Sequence, residues 1–172
     1  MGTDGLWIAV LTAITAVLAS WVTSRGNANV ARLQAKLVAE TQQDAARHQV
    51  RRAAYLAFIK QAHAVGAQYR QTPGILDIRD PVARTHALKR HQEELREGYA
   101  PFLHSLAVVA IDGYGSPVEA ANAVHSASTG VYMTLVAVAE GTQLRSAFTA
   151  AVWAFWRSTE LFATAAREAQ NS

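Results

Sequence analysis

Residues 6–23 run for 18 positions without a charged side chain, and no other feature so limits what the chain can become. At about 1.5 Å per residue a helix of that length is roughly 27 Å long, close to the hydrocarbon thickness of a bilayer. Trp7 and Trp21 stand near its ends, roughly 21 Å apart along such a helix, where indoles settle at the two water-lipid boundaries. The hydroxyls of Thr12, Thr15 and Ser20 can bond the helix's own carbonyls. The segment therefore reads as a transmembrane helix over 6–24, anchored by Trp7, Leu11, Ile14, Leu18 and Trp21, after a short tail at 1–5. A cleaved secretory signal calls for cations before the apolar run and a small-x-small site after it, and neither is clear here. A buried core helix of this length usually keeps a polar face. Both stay open as alternatives.

A step of 100° per residue puts Ala9, Ala13, Ala16 and Ser20 on one side of this helix, with Leu11, Ile14 and Leu18 mostly opposite. Small residues in a stripe let a second helix approach closely and form a seam for self-association. The plainer explanation is abundance, because Ala fills 35 of 172 positions. No Lys or Arg precedes the span, whereas Arg25, Arg32 and Lys36 follow it. That asymmetry predicts a single-pass protein of the cell membrane, N-terminus outside and the C-terminal bulk in the cytoplasm, with these three cations against lipid headgroups.

The net charge of +3 suggests nucleic acid until it is divided along the chain. Residues 24–52 hold six cations and two acids, and residues 53–172 hold ten of each. The excess is juxtamembrane, which favours anionic lipid as the partner over nucleic acid. The absence of Cys excludes disulfides, thiolate metal sites and Cys nucleophiles. After the span, the remaining length is sufficient for one domain with its own core.

Residues 25–46 read as a basic helical stalk, starting at a flexible Gly26 with Asn27 or Asn29 as cap. Val30, Leu33 and Leu37 form a coiled-coil-like seam that ends in Thr41, Asp44 and His48. Beyond it the apolar periodicity predicts four amphipathic helices at about 47–71, 81–111, 117–140 and 142–169. "TPG" at 72–74 reads as a turn, and Asp80-Pro81 as an N-cap and first helical residue. Pro101 should kink the second of these helices. "SPVE" at 116–119 reads as a capping box closed by Ser116 and Glu119. The fold class is therefore all-α: a transmembrane helix, a stalk and an antiparallel four-helix bundle over 47–172.

The segments "RRAAYLAFI", "ELREGYAPFLHSLAVVAIDGYGSPVEAANAV" and "FATAAREA" together resemble a loose family of small membrane-anchored helical proteins of high-GC actinobacteria. Its pattern is an N-terminal membrane helix, an Arg-rich R-x-x-Y-x-x-F helix and a helical bundle. Arg52, Tyr55 and Phe58 carry the motif here. The resemblance implies an architecture and no activity. Ala169 stands where a larger aliphatic residue is usual, and "DGYGSP" where a simpler Gly-Pro turn is common.

No motif reaches catalytic specificity. None of the six histidines forms the pair three or four apart that a helical metal site needs: His86 and His91 are five apart, and His104 lies on a polar face. His63 and His125 sit at the edges of apolar stripes. Glu93, Glu94 and Glu97 share their face with Lys89, Arg90 and Arg96, as a solvated surface does. Gly113 and Gly115 follow no strand and precede no Lys-Ser/Thr, so they make no phosphate loop. No cofactor, metal or small-molecule substrate is expected. Trp153 projects away from the core face and Trp156 lies at its flank, which marks a partner surface. These readings describe a protein-interaction or scaffolding module, homo-oligomeric or bound to another protein. The alternatives are a small membrane-acting effector or pore, or a secreted bundle after signal cleavage, with an enzyme last.

Overall fold

Three of the four prolines, Pro73, Pro81 and Pro117, stand at the starts of helices, and Pro101 alone lies inside one. The computed structural model describes the backbone of residues 3–171 and the side chains of residues 32–171. The helices are α1 (Thr3–Tyr69), α2 (Thr72–Leu76), α3 (Pro81–Asp112), α4 (Ser116–Ala139) and α5 (Arg145–Asn171), with no strand among the described residues. The chain divides into two units, Met1–Arg47 and His48–Ser172.

The sequence divides residues 6–71 into anchor, stalk and first bundle helix; the structure makes residues 6–69 part of one helix, α1. No proline interrupts residues 3–69, and a lone glycine such as Gly26 costs a helix only about 1 kcal/mol, so nothing local stops it. In the first unit, residues 32–47 are exposed throughout, including Leu33 and Leu37. Lys36 pairs with Glu40 at 3.9 Å and Arg47 with Asp44 at 3.5 Å along the helix surface, worth a few tenths of a kcal/mol each. Among the described residues no helix is long and apolar enough to cross a membrane. The expected span at 6–24, its anchors Trp7, Leu11, Ile14, Leu18 and Trp21, the seam Ala9, Ala13, Ala16 and Ser20, and Arg25 lie outside the described side chains.

The second unit is an all-helical bundle. The end of α1 runs against α3 in opposite sense, since Phe58 meets Phe102 while Gln68 lies against Gly98. It runs against α5 in the same manner, with Tyr55 on Phe162 and Tyr69 on Phe155. Tyr99 of α3 reaches His125 of α4. α4 makes more close backbone approaches with α5 than with α3, and Ala121, Ser128, Thr159 and Ala166 on these two helices are buried. α1 meets α3 and α5 through rings. Phe58 lies 5.2 Å from Phe102 and 4.6 Å from Phe162 between centroids, the latter edge-on.

The connections follow local chemistry with two corrections. Asp80 accepts from Val82 N at 3.1 Å and Ala83 N at 3.3 Å, capping α3 as the Asp80-Pro81 pair predicts. The "TPG" turn contains the short helix α2, whose Thr72 is fully buried. The capping box at 116–119 does not form. Gly115, at φ 65°, brings the chain into the helix one residue early, and no side chain caps that end. A residue already in helical geometry cannot turn its hydroxyl under the first free amides, so Ser116 is excluded from the role. Gly141, at φ 74°, ends α4: its N–H bonds Val138 O at 3.1 Å and Thr142 N–H bonds Ala137 O at 2.9 Å, the paired bonds of a Schellman motif.

Phe58 has no exposed surface and joins three helices, so Phe58→Ala is expected to cost about 3–5 kcal/mol. Leu56→Ala, two residues away and exposed, is expected to stay within about 0.5 kcal/mol. Urea denaturation followed by far-UV circular dichroism checks both.

Candidate functional site

Tyr69 ends α1 and lines two grooves in the bundle's surface. Its ring stands edge-on to Phe155 at 5.4 Å. Its hydroxyl lies 2.8 Å from Ser128 Oγ and donates to Ser128 O at 3.2 Å. Burial pushes the Tyr69 hydroxyl up to about 12, against the opposing effect of the Ser128 hydrogen bond, so it stays neutral and serves as a fixed strut. Two small residues let α1 come this close. A Cβ on Gly66 would lie 2.6 Å from Trp156 Cη2, and one on Gly98 would lie 2.6 Å from Gln68 Nε2.

On one side of Tyr69 a groove of about 310 Å³ is lined by Arg70, Pro73, Phe148, Val152, Trp153 and Trp156. Both tryptophans singled out in the sequence line it, but they differ in kind. Trp156 is half-buried and held: Phe155 lies 5.5 Å away, His63 5.2 Å away, and the Arg70 guanidinium sits 5.2 Å over its ring. Trp153 is 72% exposed. Pro73 of this lining is held by Arg145, which pairs with Asp77 at 2.7 Å and donates to Pro73 O at 2.6 Å. That guanidinium holds the Asp77 carboxyl below the usual carboxylate range.

On the other side a groove of about 450 Å³ opens between α3 and α4, lined by Leu95, Arg96, Tyr99, Leu103, Thr129 and Tyr132 with Tyr69 and Ser128. It is formed where Ala100, Ser128 and Thr129 are too small to fill the crevice. Tyr99 Oη lies 2.9 Å from His125 Nδ1, so this ring is also fixed. The sequence offers no sign of this groove, because a gap between helices is set by which small residues face each other.

His91 is the residue that sequence patterning passed over. Leu88, His91, Leu95, Phe102, Ser105 and Val109 form the buried stripe of α3, and the 3-4 spacing of Leu88, His91 and Leu95 is the signal that places it inside. It is 2% exposed. Its Nε2 lies 2.9 Å from Thr72 Oγ1, holding α2 to α3. Its Nδ1 has no hydrogen-bond partner and lies 3.8 Å from Glu94 Oε2. Burial pulls the imidazole below its ordinary value, with Glu94 acting in the opposite sense.

The remaining residues are scattered. Glu93, Glu94 and Glu97 are exposed, and among the described residues no group of three or more His, Asp or Glu is placed to hold a metal ion. His104 is exposed, as is Arg32, while Lys36 faces Glu40. Searches against protein-family models, curated proteins and solved structures find no match.

A base whose folded pKa is depressed favours the neutral form, so its stabilising effect is complete above the ordinary imidazole pKa and is lost as pH falls below it. The protein is therefore expected to lose stability from pH 7 to pH 5 in part through His91. His91→Gln is expected to flatten that fall. Thermal melts of the two proteins across the interval compare the slopes, and equal slopes would remove His91 from the account.

Proposed function

We propose that the chain is a single-pass membrane protein whose helical bundle is a cytoplasmic protein-interaction module. Residues 6–24 are its anchor, and Arg25, Arg32 and Lys36 face lipid headgroups. The apolar length of residues 6–23 and the one-sided cations support the anchor and its orientation. The observation that carries the interaction role is Trp153, 72% exposed at the lip of the groove over Pro73, Phe148 and Val152. An indole left in water forgoes about the burial energy of a core side chain, and exposed aromatics beside a concave apolar surface are the usual anchors of protein contacts. The groove suits an apolar side chain from a partner helix, with Arg70 beside it as an aromatic-facing cation. The partner is a second copy of the chain or another protein.

A photoreactive amino acid placed at Trp153 in the full chain in its native membrane tests this. A discrete cross-linked product is expected at position 153 and none at Ser126, an exposed site on α4. Trp153→Ala is expected to change folding stability by no more than about 0.5 kcal/mol while abolishing cross-linking from neighbouring Thr149. Destabilisation by that variant, or no product at 153, would show that Trp153 serves the fold or nothing.

A further inference from the structure

The 450 Å³ groove between α3 and α4 is within the size range of small-ligand sites, and its polar groups narrow the ligand. Tyr69 and Tyr99 have spent their hydroxyls on Ser128 and His125, so those side chains present ring faces. Thr129 donates to His125 O at 3.1 Å. Leu95 and Leu103 complete an almost wholly apolar wall, with Leu103 still 42% exposed. At this wall stands Arg96, which among the described residues makes no ion pair or hydrogen bond. An apolar trough with one uncommitted guanidinium complements a molecule with an apolar body and one anionic end. Tyr132, also in the lining, carries a hydroxyl that among the described residues makes no hydrogen bond either.

We propose that this groove binds a single-chain aliphatic carboxylate, its chain against Leu95, Leu103 and the tyrosine rings and its carboxylate on Arg96. The site is separate from the Trp153 groove and does not depend on how that surface is used. Tyr69 lines both grooves, and it is the one lining residue they share.

The test uses a diazirine-bearing fatty acid and the matching fatty alcohol, each photolysed with the full-length protein, with adducts located by peptide mass spectrometry. Adducts are expected on Tyr99, Leu103 and Tyr132, to be competed by unlabelled dodecanoate. Arg96→Gln is expected to lower their yield about tenfold at limiting probe, the loss of one charge-assisted hydrogen bond, and the alcohol to label wild type at that lower level. Leu103→Glu, a change at a half-exposed position, is expected to remove the adducts while circular dichroism shows the helical melt retained. Labelling spread over other helices would overturn the proposal. So would labelling of this groove that neither Arg96→Gln nor the loss of the carboxylate reduces.

Discussion

The contact on which the bundle depends is the packing of rings between the end of α1 and the helices α3 and α5. Phe58, Phe102 and Phe162 meet in one cluster, with Tyr55 on Phe162 and Tyr69 on Phe155 extending it along α1. Gly66 and Gly98 let α1 come close enough for these rings to meet, since a Cβ on either would collide with a neighbouring side chain. Both grooves border Tyr69, at the end of the aromatic series.

Polar groups inside this frame fix positions. Ser128 fixes Tyr69, Thr72 fixes His91, and the Asp77–Arg145 pair with Pro73 O ties the α2 connection to the start of α5. Each joins segments distant in sequence, and Tyr69, Ser128 and Pro73 among them also line the grooves. The pH sensitivity expected of His91 bears on the same frame, because its bond to Thr72 secures the connection that carries Pro73.

Much of the fold is legible in the sequence because periodicity and prolines are local signals. The stripes through Tyr55, Phe58, Ala62 and Tyr69 and through Leu95, Phe102 and Val109 mark the core faces, and Asp80-Pro81 marks a helix start. Where the reading fails, the deciding fact is nonlocal or conformational. Leu144, inside the helix that the periodicity predicts from 142, is exposed because α5 begins at Arg145 and leaves it in the turn. Ser116 loses its capping role to the backbone of Gly115. His91 has the spacing of a core residue and the chemistry of a surface one. Trp153 is legible as a projecting residue, but the groove beside it is created by Pro73 and Phe148, which are 75 residues apart in the chain.

On the proposed function the Trp153 face works in the cytoplasm, on a bundle tethered by residues 6–24. The chain has no Cys, so Gln170→Cys at the exposed end of α5 introduces a single thiol. The deciding measurement treats intact cells with a membrane-impermeant maleimide, followed by the same treatment after lysis. The account predicts a membrane-bound protein that labels only after lysis. Labelling of intact cells, or recovery of the protein free of the membrane, would contradict it.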